Sequence, residues 1–320
     1  MSIIEKAVQR LDQLKRAGVD VPAVNVPPVN DASASAPVTV APAAAVAPTV
    51  VPAPVAMTSP ATKMPEPDAA SVSRKIEIDL NRLNGLGMVT PLNARSTIAE
   101  EYRVVKRPLL RNVAGQGANA IKHANLIMVT SSVPGEGKSF SSINLAISMA
   151  MELDRTVLLV DADVSRPSVL NLLGLPPARG LMDVLLSDDI ELSDVLLRTN
   201  VEKLTLLPAG MPYQRATELL ASESMTNLLD QIATRYPDRI VIFDSPPLLV
   251  TTEARVLATH MGQVVVIVES GRTTQSMVKQ ALLNIETCPV KLMLLNKTRE
   301  SGPGGYYGYY APYGYGQQEK

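Results

Sequence analysis

Apolar positions change their spacing along the chain, and each change marks a boundary. Ile3, Ile4, Ala7, Val8, Leu11 and Leu14 recur at helical spacing behind Ser2 and Glu5, whose separation fits a capping box. Residues 2–17 are therefore predicted as a short amphipathic helix within an N-terminal piece, 1–17. Residues 18–74 are dominated by Pro, Ala, Val, Ser and Thr with neither helical nor alternating period, which predicts an extended, semi-rigid linker that buries too little to order itself. Residues 75–298 carry apolar runs at Leu126–Thr130, Val157–Val160, Leu204–Leu207, Ile240–Phe243, Val264–Val268 and Leu292–Leu295, with helical patterns between them. Near-continuous apolar strands separated by helices predict an α/β fold, a doubly wound and mostly parallel sheet covered on both faces. In that class ligands sit at the carboxyl ends of the strands. The last piece, 299–320, interleaves Gly and Pro with Tyr306, Tyr307, Tyr309, Tyr310, Tyr313 and Tyr315, a pattern that favours neither helix nor strand and predicts a flexible tail with exposed phenols.

Composition narrows the classes of partner. With 320 residues, 46% of them hydrophobic, the chain can bury a large core, and a formal charge of -1 supplies no overall attraction to nucleic acid or to an anionic membrane. The single cysteine, Cys288, excludes an intramolecular disulfide and a thiolate metal cage. His123 and His260 stand far apart in the sequence and read as packing or surface residues. The N-terminus, MSIIEKAVQR, lacks the long apolar stretch of a signal peptide. The uncharged window Val38–Met57 contains Pro42, Pro48, Pro52 and Pro54, which argue against a membrane-spanning helix.

Three motifs carry chemistry. Directly after the first apolar strand comes SSVPGEGKS, followed by a helical run: strand, glycine loop, helix, the setting of a phosphate loop. Ser132, Val133, Pro134, Gly135, Glu136, Gly137, Lys138 and Ser139 would wrap the β- and γ-phosphates of ATP, with Lys138 neutralising their charge and the Ser139 hydroxyl on Mg2+. Ser132 replaces the usual first glycine. The second strand ends in LLVDADVSRP, which brings Asp161 and Asp163 to the same edge to bind metal or to activate a hydroxyl; the competing reading is a helix cap with a salt bridge to Arg166. The fourth run, RIVIFDSPP, delivers Asp244 as a further carboxylate for the metal shell.

Together, SSVPGEGKS, LLVDADVSRP and VIFDSPP resemble the Walker A, A′ and B motifs of the bacterial tyrosine kinases of exopolysaccharide systems, from about Ile76 to the end of the chain. The Pro-rich beginning resembles the exosortase-linked branch. The resemblance implies a protein-tyrosine autokinase with ATP and Mg2+ as cofactors, Lys138, Asp161 and Asp163 as catalytic residues, Ser139, Asp161, Asp163 and Asp244 at the metal, and the six tail tyrosines as acceptors. It also implies a homo-oligomeric ring, a membrane-bound polysaccharide chain-length determinant as activating partner, a cognate tyrosine phosphatase, and a cytoplasmic place at the inner membrane held through that partner. The family's ring-forming E-x-x-R-x-x-R helix matches AEEYRVVKRP, giving Glu100, Arg103 and Lys106, with Lys in the last Arg position and Arg107 beside it. A solvated charged face is the alternative there.

Two other functions compete. A partition- or division-site-like ATPase switch shares this sheet, but such proteins place a signature lysine where this chain has Val133. A Gly/Tyr tail can also act as a weakly adhesive segment that needs no phosphate.

Overall fold

The computed structural model describes residues 74–115, 120–235 and 238–298. The predicted N-terminal helix, the linker up to residue 73 and the tyrosine tail lie outside the described residues. Among the described residues eight strands form one sheet: β1 (Arg74–Lys75), β2 (Leu126–Ser131), β3 (Thr156–Asp161), β4 (Leu197–Arg198), β5 (Leu204–Leu207), β6 (Arg239–Asp244), β7 (Gln263–Glu269) and β8 (Val290–Asn296). Their order across the sheet is β1-β4-β5-β3-β6-β2-β7-β8. All neighbours run parallel except β4 and β5, which pair antiparallel. Each of the six predicted runs is a strand. The two-residue strands β1 and β4 were not predicted, because so short a segment carries no period to read.

The central strands are buried on both faces, which is why they read as unbroken apolar runs. One core cluster joins Ile127, Val129, Leu159 and Ile242 to Ile143, Leu145 and Ile147 of the Lys138–Ala150 helix. The opposite face joins Met128, Leu158, Val160 and Phe243 to Leu228 and Leu229 of the Glu223–Arg235 helix. The edge strand β8 departs from the expectation of two covered faces: Met293 and Leu295 are 63% and 59% exposed, while Leu292 and Leu294 pack inward. Among the described residues no helix is long and apolar enough to cross a membrane.

The Lys138–Ala150 helix lies between the sheet and the Thr97–Val113 helix, and every residue from 141 to 150 is buried. Buried polar groups then require partners. Asn144 supplies them twice, accepting from the Val89 amide at 2.6 Å and donating to the Phe140 carbonyl at 2.7 Å. The Thr97–Val113 helix tolerates Pro108 because the carbonyl that loses its amide donor belongs to Val104, which is 71% exposed to water. Its charged residues do not share one environment. Lys106 is 4% exposed, lies 2.8 Å from Glu152 Oε1 and donates to the Ser148 carbonyl, so its ammonium is spent inside the domain. Glu100 and Arg103 pair at the surface, and Arg107 stays largely exposed.

The histidines also differ from the reading by sequence distance. β2 and β7 are neighbours, with Ile127 opposite Gln263, so the segments before them meet. His123 Nε2 lies 3.4 Å from Asp230 Oδ1. The His260 pKa is lowered, chiefly by burial and in part by His123, while Asp230 opposes the shift.

Candidate active site

β2 ends at Ser131 and the chain turns through Gly135 and Gly137, both left-handed, at φ 89° and 96°, before the Lys138–Ala150 helix begins. Glycine tolerates that geometry and supplies the room it needs: a Cβ on Gly137 would collide with the Asn296 side-chain amide. Glu136 folds back into the loop, where it is fully buried and accepts from the Val133 amide at 2.8 Å and from the Thr273 hydroxyl. The Ser131 hydroxyl donates to the Val133 carbonyl at 2.8 Å. Ser132, at the missing-glycine position, is buried with its hydroxyl unpartnered. The loop thus sits at a helix N-terminus, where free amides and the helix dipole favour an anion.

Register then assembles the carboxylates. Asp161 and Asp244 are the last residues of adjacent strands and lie directly opposite one another. Lys138 Nζ donates to Asp163 Oδ2 at 2.6 Å. Asp163 Oδ1 accepts from the Arg166 amide at 3.2 Å, whereas the Arg166 side chain is exposed, so the ion pair made by Asp163 is with Lys138 and not with the Arg166 guanidinium of the competing reading. Asp161 Oδ2 accepts from the amides of Ser168 and Val169, both at 3.0 Å, capping the Val169–Leu173 helix. The cap and the functional reading coexist, because Asp161 Oδ1 is left buried and unpartnered. Asp244 Oδ1 lies 3.0 Å from the Ser142 hydroxyl, and Asp244 Oδ2 is likewise buried without a partner. The Ser139 hydroxyl accepts from Ser168 Oγ at 2.6 Å.

One cation among three buried carboxylates leaves an excess of negative charge. Burial, reinforced by the charge of Asp244, raises the Asp161 pKa to about 7 against the pull of its two amide bonds. The Asp244 pKa is also raised, chiefly by burial. Burial alone would lower the Lys138 pKa, but Asp244, Asp163 and Asp161 outweigh it and raise it. An excess of negative charge of this kind suits the binding of a cation. Two orphan carboxylate oxygens and a serine hydroxyl fit Mg2+, which keeps much of its shell as water and phosphate oxygen. Among the described residues no three His, Cys, Asp or Glu side chains gather as one metal-ligand group, and Asp163, expected at the metal, is paired with Lys138 instead.

Local motifs did not reveal several contributors. Ser142 stands one helical turn beyond Lys138, a spacing that could have exposed it. Ser168, Thr273, Asn296 and Lys297 arrive from other segments and gave no local signal. Of the predicted interface residues, Glu100, Arg103 and Arg107 are surface groups, and Lys106 is not.

Comparison with known proteins places this arrangement in a family. The AAA domain family matches residues 124–296. The tyrosine-protein kinase YwqD of Bacillus subtilis is 31% identical over 229 residues, covering 70% of this chain and 91% of that protein. The succinoglycan biosynthesis transport protein ExoP of Rhizobium meliloti is 30% identical over 217 residues, covering 66% of this chain but 26% of its own longer length. Among solved structures, the kinase domain of the Escherichia coli tyrosine kinase ETK superposes with a TM-score of 0.57 at 26% identity, covering 71% of this chain and 86% of that domain. The match to nearly the whole of YwqD, on a sheet that gathers a phosphate loop, its lysine and three aspartates at one edge, makes this chain a member of the bacterial tyrosine-protein kinase family.

Proposed function

We propose that this chain is an ATP-dependent autokinase that transfers the γ-phosphoryl group to the tyrosines of a neighbouring subunit's tail, Tyr306, Tyr307, Tyr309, Tyr310, Tyr313 and Tyr315, and so regulates the making or export of an exopolysaccharide. The observation that carries this reading is the charge imbalance at the strand edge: Lys138 held by Asp163, with Asp161 and Asp244 each keeping one oxygen buried and unpartnered.

Phosphoryl transfer demands alignment and charge neutralisation more than strong base catalysis. The loop amides between Val133 and Lys138 bind the phosphates, and Lys138 turns from Asp163 to the γ-phosphate as nucleotide enters. Ser139, Asp161 and Asp244 would hold Mg2+, whose charge would neutralise the phosphate oxygens. Release of Lys138 leaves Asp163 beside Asp161, and these two carboxylates face the incoming phenol and its proton. Tyr102 is no substrate for this edge: its phenol is buried, which raises its pKa to about 12.

Val133 argues against a switch ATPase, which places a lysine there to reach across to its partner's nucleotide. On the family resemblance we further propose these partners: a ring of identical subunits, a membrane-bound polysaccharide chain-length determinant that activates the kinase and holds it at the inner membrane, and a phosphatase that resets the tail.

The test is incubation of the purified chain with Mg-ATP followed by mass mapping of phosphotyrosine. Phosphate on the tail is expected, and Lys138→Met is expected to reduce it at least about a hundredfold. Phosphate release without phosphotyrosine would leave a switch ATPase. Mixing Lys138→Met with a tail-deleted chain tests transfer between subunits; an unlabelled Lys138→Met tail would exclude it.

A further inference from the structure

The far end of β8 closes on the phosphate loop. Asn296 Nδ2 donates to the Glu136 carbonyl at 2.8 Å, and Lys297 Nζ donates to the Gly135 carbonyl at 2.7 Å. Lys297 Nζ is itself steadied 3.2 Å from Glu269 Oε2, at the end of β7, which also pairs with Arg272 at 3.2 Å. Two consecutive loop carbonyls are therefore pinned toward the β7–β8 corner.

Peptide planarity makes that pinning consequential. In a trans peptide the N–H of the next residue points opposite to the carbonyl. Holding the Gly135 and Glu136 oxygens toward β8 turns the Glu136 and Gly137 amides away from it, into the loop whose concave side receives anions. The backbone of Lys297 is held at φ 57°, a left-handed conformation a lysine seldom adopts. Such an outlier is retained where the surroundings hold it, and here the side chain beyond it is fixed at both ends. Gly137 adds a steric argument, because only a residue without a Cβ lets the Asn296 amide come this close.

We propose that Asn296 and Lys297 are positioning residues of the phosphate loop, a strap from the last strand that sets the direction of two phosphate-binding amides. The strap rests on the nucleotide-binding reading above. It acts without touching the reacting atoms, and the residue after it, Thr298, leads directly toward the tyrosine tail.

The experiment uses the full chain and measures Mg-ATP affinity, steady-state KM and kcat, and the thermal midpoint without nucleotide. Asn296→Ala and Lys297→Ala should each weaken Mg-ATP binding about tenfold, the scale of one lost hydrogen bond, with KM rising more than kcat falls and the ligand-free midpoint unchanged. Lys297→Arg, which keeps a cationic donor of similar reach, should restore binding. Lys297→Gly separates the strap from a mere turn: glycine suits the left-handed backbone but donates nothing, so it should bind nucleotide as weakly as Lys297→Ala. Binding by Lys297→Gly or Asn296→Ala as tight as that of the unaltered chain would overturn the strap alone. Failure of the unaltered chain to bind Mg-ATP would overturn the reading of the site and the strap with it.

Discussion

Two places in this fold bury charge, and they do so in opposite ways. Between the Thr97–Val113 and Lys138–Ala150 helices, Lys106 meets Glu152 and the Ser148 carbonyl, so one buried cation finds a spare acceptor and one carboxylate, which the exposed Arg107 also approaches at 3.9 Å. At the other end of the same buried helix, Lys138 faces Asp161, Asp163 and Asp244, and two carboxylate oxygens find nothing. A balanced cluster joins two helices and is complete without a visitor. An unbalanced one is held in a poor state by the rest of the fold and is relieved when a cation binds. The difference separates a structural ion pair from a functional site without reference to motifs.

The largest test of the contrast is to relieve the imbalance by mutation. Sign follows from Asp161, whose pKa rises from 3.8 unfolded to about 7 folded. Between those values the folded chain binds more protons than the unfolded one, so this group stabilises below about pH 4 and its contribution is lost as pH rises through about 7. Asp161→Asn should therefore unfold at higher temperature than the unaltered ligand-free chain near pH 8, by up to about 4 kcal/mol, and the gain should vanish toward pH 4. Autophosphorylation should fall at the same time. A stability gain that does not change with pH would refute the charge argument.

A smaller effect of opposite sign is expected at the balanced cluster. Lys106→Met keeps length but leaves Glu152 and the Ser148 carbonyl without their donor, at a cost of about 1–3 kcal/mol near neutral pH. The Glu152 pKa is lowered, first by its bond to Lys106, so that contribution is present above the ordinary carboxylate range and is lost as pH falls through the lowered value. Denaturant midpoints of the two chains should converge in acid. The smallest change is Arg103→Ala, which breaks the surface pair with Glu100 and should move stability by no more than about 0.5 kcal/mol. Sedimentation of the same variant decides whether this face assembles subunits: dissociation at unchanged stability assigns the interface to it, and unchanged assembly removes it.

Much of this was legible in sequence because parallel strands buried on both faces leave unbroken apolar runs, and the motifs sit where those runs end. The edge strand β8 was less so: its alternation of Leu292 and Leu294 inside with Met293 and Leu295 outside is hidden when every member is apolar. Lys106 misled for a geometric reason. At 3.6 residues per turn, six residues carry a side chain to about 120° from its start, so Glu100 and Lys106 face different neighbours although each lies three residues from Arg103. Asn296 and Lys297 were invisible because nothing within the last strand announces a phosphate loop 160 residues earlier.

That long separation orders events during synthesis. The loop and its helix leave the ribosome early, but β2 must wait for Val241 and Val264 to pair on its two sides, and Gly135 and Glu136 must wait for the final strand. Parallel sheets stitched across such distances fold late and expose their strands meanwhile. In this chain the nucleotide cradle is completed only when the segment before the tyrosines has been made, so an unfinished nascent chain has no firm hold on ATP.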